Sequence, residues 1–233
     1  MKPSPMRLRW FTLRPFGKPQ FDRLAEGMLE YKYGEESGCG FVVGDVRPSK
    51  LTGRFVRRET VTRLITNPQG ESETVQFTDF TSTQFAISTS SPQMELRNHA
   101  RRLSEFITAL GDLLNNRVAV IPIEANCRDW LAALGKAGCS VRLTKLVTGS
   151  VAVSEAVVVK ASFCGSKNVL REAAAFFQGR KFAPETVAGE VEIEGDLARF
   201  RIGSNGSFAF LSEPSEALVA AVRKSVEHIE QGA

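Results

Sequence analysis

The stretch Glu190-Val191-Glu192-Ile193-Glu194-Gly195-Asp196-Leu197-Ala198-Arg199-Phe200-Arg201-Ile202 alternates charged and apolar residues on both sides of a Gly-Asp dipeptide. Such alternation marks strands with one buried face, and glycine at the first of two loop positions suits a type II′ hairpin. With Gly195-Asp196 as the loop, Glu192 faces Arg199, Glu190 faces Arg201 and Val191 faces Phe200. Charges then pair on one face and apolar groups on the other.

Downstream, a three-residue loop Ser204-Asn205-Gly206 sets Phe210 opposite Phe200 and Phe208 opposite Ile202, all in the core. A two-residue Asn-Gly loop would instead set both phenylalanines beside Arg199 and Arg201, where sheet aromatics can stack nucleobases. The first register pairs like with like and is preferred. A closing helix from about Ser215 to Glu230 carries Leu218, Val222, Val226 and Ile229 at helical spacing.

Upstream, Val118 to Ile121 reads as a strand, followed by a helix capped by Asn126 with Asp129 at its third position. Strands through Leu143 and through Val157 to Val159 come next, then a helix capped by Ser166 and ended by Gly179. In the first half, Met6, Leu8 and Trp10 alternate with Arg7 and Arg9, a half-buried strand. Phe21, Leu24, Ala25, Met28 and Leu29 then recur as an amphipathic helix ending near Gly34.

From Gly40 to about Leu96 the period is two, with threonine, valine and phenylalanine enriched, as in an antiparallel meander. Asn67-Pro68-Gln69-Gly70 suits a type I turn. A four-residue loop there places Arg58 opposite Asp79 and Thr62 opposite Val75. Asn98 can cap a long helix whose stripe is Leu103, Phe106, Ile107, Leu110, Leu113 and Leu114. The expected fold is α+β, with two similar-sized units of antiparallel or mixed sheet packed with amphipathic helices: a basic unit over residues 1–116 and a second over residues 117–233.

The chain has 233 residues, 42% hydrophobic and 24% charged, ordinary globular usage that does not point to disorder. Its apolar runs fall far short of the roughly 20 residues a membrane helix needs. The N-terminal stretch, broken by Arg9 and Arg14, has no apolar core of signal-peptide length. Cys39, Cys127, Cys139 and Cys164 show no paired spacing and read as reduced core thiols in a cytoplasmic setting. With two histidines in all, no metal site or cofactor is expected.

Charge location is the strongest functional lead. Residues 1–65 hold 13 Lys/Arg against 7 Asp/Glu, a net +6, whereas the rest of the chain is net −2. Twenty of the 30 basic residues are arginine, which suits planar contact with phosphate or carboxylate. Gly38-Cys39-Gly40 is glycine-rich, but it leads into a strand and lacks the helix a phosphate loop opens. Neither His99 nor His228 sits beside an evident nucleophile, so no catalytic residue is assigned.

The candidate nucleic-acid-binding residues are Arg7, Arg9, Arg14, Arg54, Arg57, Arg58, Arg63, Arg101 and Arg102. Along one strand, Arg57 and Arg63 fall on one face and Arg54 and Arg58 on the other. The expected function is non-enzymatic binding of nucleic acid, DNA or RNA, alone or within a nucleoprotein complex. The alternative is an assembly subunit whose arginines meet an acidic protein surface. A third is an enzyme built from scattered carboxylates.

Overall fold

A computed structural model describes residues 5–15, 21–34, 36–99, 103–166 and 168–232. In chain order the first elements are β1 (Met6–Arg14), α1 (Phe21–Glu30), β2 (Cys39–Arg47), β3 (Lys50–Thr66), β4 (Ser72–Ser88), β5 (Met94–Arg97) and α2 (Ser104–Leu113). There follow β6 (Ala119–Pro122), α3 (Cys127–Lys136), β7 (Ser140–Thr148), β8 (Val151–Ala152), β9 (Val158–Val159) and β10 (Ser162–Cys164). The chain closes with α4 (Val169–Phe176), β11 (Pro184–Ile193), β12 (Asp196–Gly203), β13 (Phe208–Phe210) and α5 (Glu216–Gly232). The fold is mixed α+β and mostly antiparallel sheet. No described helix is long and apolar enough to cross a membrane.

Backbone contacts divide the chain into Leu13–Val120 and a second unit of Met1–Thr12 with Ile121–Ala233. The first strand, grouped with the N-terminal half by sequence order, pairs with β13: Met6 lies opposite Phe210 and Leu8 opposite Phe208.

In the unit Leu13–Val120, β2 to β5 form the meander that the period-two stretch predicts, in spatial order β5-β4-β3-β2. Alternation sends Leu51 and Phe55 of β3, Phe85 and Ile87 of β4, and Met94 and Leu96 of β5 to one buried face. There the ring of Phe106 on α2 lies 5.7–6.2 Å from the rings of Phe41, Phe55 and Phe85. α1 buries Phe21, Leu24, Ala25 and Met28 of the stripe its periodicity predicts, whereas Leu29, the fifth residue of that stripe, is exposed. Gly40 allows a close backbone approach, since a Cβ there would lie 2.3 Å from the Tyr33 nitrogen. The glycines of residues 38–40 therefore form a turn and strand entry rather than a phosphate loop.

Two local expectations are corrected in this unit. The β3–β4 loop has five residues, not four: Thr66 pairs with Ser72, so Arg58 faces Phe80 and Thr62 faces Gln76. Asn67 causes the shift, because its Oδ1 accepts from the backbone nitrogens of both Gln69 and Glu71, at 3.0 and 2.9 Å. The long helix starts at Ser104 with Leu103 at its cap position and no side-chain cap. Asn98 instead has a left-handed backbone, φ 51°, unlike the extended backbone of an N-cap.

In the second unit the strand order is β10-β7-β11-β12-β13-β1. One face of this sheet is buried under α3, α4 and α5: Leu8, Leu143, Val187, Val191, Phe200, Ile202, Phe208 and Phe210 meet Trp130, Ala173, Leu218 and Val222 in one core. Asn126 caps α3 as its sequence predicts, accepting from the nitrogens of Arg128 and Asp129. α4 begins two residues later than expected, because Asn168 rather than Ser166 accepts the capping bond from Arg171. The phenylalanine register is as expected: Phe200 faces Phe210, Ile202 faces Phe208, and all four are buried.

The β11–β12 hairpin departs from its expected register by two residues. Ile193 pairs with Asp196, so the loop is Glu194-Gly195, with φ 51° and 88°. Positive φ at both positions marks a type I′ turn, whose twist matches the strands. A shift of two keeps every side chain on its face. Glu190 therefore meets Arg199, but Glu192 meets Leu197 and Arg201 meets Ala188.

Candidate nucleic-acid interface

The sheet face of the second unit opposite its helices takes every other residue of β7, β11, β12, β13 and β1. Across it runs one register row: Lys145 opposite Ala188, Ala188 opposite Arg201, Arg201 opposite Ala209, and Ala209 opposite Arg7. With neighbouring strands about 4.8 Å apart, each cation lies roughly 10 Å from the next, and the alanines between them leave the surface low. A bulge between Ala188 and Gly189 resets the alternation of β7, so that Leu143 and Leu146 are both buried while Lys145 is exposed. Gly189 is required there: a Cβ would lie 2.0 Å from the carbonyl oxygen of Arg142.

The flanking positions add Arg142, Arg199 and Arg9. Arg142 donates through Nε to Glu190 at 2.9 Å, so the Glu190 carboxylate is engaged by its β7 neighbour. Arg199 and Arg201 are exposed. Arg9 is half-buried, its guanidinium 5.4 Å from the centre of the Phe11 ring. The face thus presents six basic side chains, Arg7, Arg9, Arg142, Lys145, Arg199 and Arg201, against Glu190 and Glu192. Fixed positive charge of this density attracts polyanions over about a Debye length, some 8 Å at physiological salt.

The remaining arginines singled out by sequence are placed differently. Arg57 is bound on two sides, by Glu59 and by Glu105 Oε1 at 2.7 Å, and its side chain is only 24% exposed. Arg63 lies on the same face of β3, 5.1 Å from the centre of the Phe77 ring. Arg54 and Arg58 occupy the opposite face and are exposed. Arg14 ends β1 and is exposed, whereas Arg101 and Arg102 lie outside the described residues. The N-terminal bias therefore resolves into separate groups: among the described candidates Arg7 belongs to the row above and Arg9 flanks it, while the others lie elsewhere.

Lys145, Arg199 and Arg201 carry no weight in a reading based on the N-terminal half. The available signal was the alternation of Arg199 and Arg201 with buried Ala198, Phe200 and Ile202. Joining them to Arg7 required the strand order.

Beyond position 57, β3 and β4 run as a two-stranded ribbon. β2 pairs with β3 only as far as Arg57, and β5 pairs with β4 only from Gln84 onward. Residues 58–80 hold two basic and four acidic residues, Arg58 and Arg63 against Glu59, Glu71, Glu73 and Asp79. Leu64, Ile65, Phe77 and Phe80 are exposed on it.

Ionisable chemistry elsewhere is sparse. Among the described residues no group of three or more His, Cys, Asp or Glu side chains could hold a metal. Burial pushes the Cys127 thiol up to about 11 and raises that of Cys139. The Tyr31 hydroxyl is raised chiefly by its hydrogen bond with Cys39. Cys164 is exposed, which corrects the reading of all four cysteines as core residues. Comparison with known proteins yields no matching family model and no matching curated protein.

Proposed function

We propose that this protein binds nucleic acid without acting on it, through the open sheet face of the second unit. The observation that carries the reading is the row Lys145, Arg201 and Arg7, in which three exposed cations stand on alternate strands of one sheet face, with Ala188 and buried Ala209 between them. Guanidinium and ammonium groups in such a row contact backbone phosphates without reading bases. Among the described residues the face holds no exposed aromatic ring for stacking, Phe11 being buried, and its contacts are therefore with the backbone. Sequence specificity, where present, comes from nucleic-acid shape or from a partner.

Fluorescence anisotropy with single- and double-stranded oligonucleotides across a salt series tests this. Three phosphate contacts give a log–log slope of about −2 to −3, steeper on duplex than on single strands. Absence of binding at low salt removes the reading.

The β3–β4 ribbon favours a second role, in assembly. Its net negative charge repels phosphate, while Leu64, Ile65 and Phe80 offer apolar surface of the kind found at protein interfaces. Nucleic acid on one unit and a protein partner on the ribbon together describe a subunit of a nucleoprotein complex.

A further inference from the structure

On the face of the β2–β5 sheet that turns away from Phe106 there is a groove of about 450 Å³, within the range of small-molecule sites. Its floor is two register rows. One runs from Val42 through Arg54 and Gln84 to Arg97, and the next sets Thr52 and Glu95 on either side of Ala86. Lys50 closes one end, two residues beyond Thr52 on the same face.

Three features mark this as a built site. First, Glu95 is 2% exposed, and Arg97 donates to it through Nε at 2.6 Å. A buried carboxylate thus anchors this guanidinium at the groove, which Arg97 lines, and an arginine already fixed loses less freedom when it grips an anion. Second, Arg54 and Arg97 stand on either side of Gln84 in one register row, at about 10 Å between their Cα positions, so two guanidinium groups and an amide share one span of the groove. Third, β2 bulges between Val43 and Val46 at the groove's edge. The bulge is held by Thr52, whose hydroxyl accepts from the Asp45 nitrogen at 3.0 Å. Bulges gather beside binding sites because they re-aim the strand.

Lys50, Arg54 and Arg97 against Glu95 leave the groove with an excess of two positive charges, which suits a multiply charged anion. Val42, 36% exposed, and Ala86 supply an apolar wall for an uncharged moiety attached to it. We propose that this groove binds an organic phosphate, its phosphoryl oxygens held by Arg54, Arg97 and Lys50 and its organic part set against Val42. The site is independent of the nucleic-acid face.

The test is isothermal titration of the full chain with ATP, and with adenosine as the uncharged control. Saturable ATP binding with no adenosine binding is expected. Arg54→Gln combined with Lys50→Met should weaken ATP by at least about tenfold while leaving the urea midpoint unchanged, since both side chains sit at the groove's open surface. Arg97 is left intact in that variant so that Glu95 keeps its partner. Lys145→Glu combined with Arg201→Glu, which attacks the nucleic-acid face alone, should leave ATP binding intact. The proposal is overturned by no ATP heat at millimolar concentration, by equal binding of adenosine, by an unaffected Arg54→Gln/Lys50→Met variant, or by loss of ATP binding in the Lys145→Glu/Arg201→Glu variant. Failure of oligonucleotide binding with ATP binding retained would remove the nucleic-acid reading and leave this one standing.

Discussion

Leu110 is fully buried on α2, one turn from Phe106, whose ring meets three phenylalanines of the sheet. Removing its isobutyl group opens a cavity that close-packed rings fill poorly, and Leu110→Ala should cost about 2–5 kcal/mol in urea unfolding. An unchanged midpoint would mean that this face is not the core. The thiols give a second test at this scale. In the folded chain Cys127 keeps its proton up to about 11, against an ordinary value of 9.0, because burial penalises the thiolate. The folded state binds more protons than the unfolded state in that interval, so this contribution to stability is whole below about pH 9 and is lost as pH rises from there toward 11. Urea midpoints measured from pH 8 to 11 should fall, and Cys127→Ser should flatten the fall. In the native protein a thiol reagent should modify exposed Cys164 and spare Cys127 and Cys139.

The β11–β12 turn places Glu194, a side chain with a Cβ, in the left-handed region at φ 51°. That conformation costs an ordinary residue about 1–2 kcal/mol and asparagine less. Glu194→Asn creates the Asn-Gly pair that type I′ turns favour, and should raise stability by up to about 1 kcal/mol in urea titration. No gain would mean that the loop is not Glu194-Gly195. In the β3–β4 ribbon, Leu64 and Ile65 are 68% and 55% exposed, so Leu64→Thr with Ile65→Thr should shift stability by no more than about 0.5 kcal/mol per site. Any self-association or partner capture that the ribbon mediates should weaken in the same variant. These elements also mark how far the sequence could be read. Alternation of apolar and charged residues placed β11, β12 and β13 correctly on their faces, since burying one face is a strong constraint. Loops were harder: the choice between a four- and a five-residue turn rested on the bonds of one asparagine side chain, and that between Gly195-Asp196 and Glu194-Gly195 on a backbone strain that composition does not display.

At the scale of the whole molecule, legibility failed at strand order. Arg7 and Arg201 are 194 positions apart in the chain, and only the pairing of β1 with β13 and β13 with β12 sets them in one row. Counting charge along the sequence instead favoured residues 1–65, where Arg57 proves to be held between two carboxylates and Arg63 lies over Phe77. The two groups make opposite predictions. Lys145→Glu with Arg201→Glu replaces two exposed cations by anions on the proposed phosphate face, and should lower oligonucleotide affinity across all sequences while flattening the salt slope by about 2. Stability should barely change, because neither side chain holds a buried partner and surface substitutions shift it by about 0.5 kcal/mol or less. Arg57→Glu with Arg63→Glu should do the reverse. It sets three carboxylates together at positions 57, 59 and 105, so unfolding occurs at lower urea while the binding of the protein that remains folded keeps its slope. Measuring anisotropy and urea midpoint on both variants separates the alternatives. A lost slope in the Arg57/Arg63 variant with a normal slope in the Lys145/Arg201 variant would move the interface to the β3 arginines and remove the open sheet face as the site of phosphate contact.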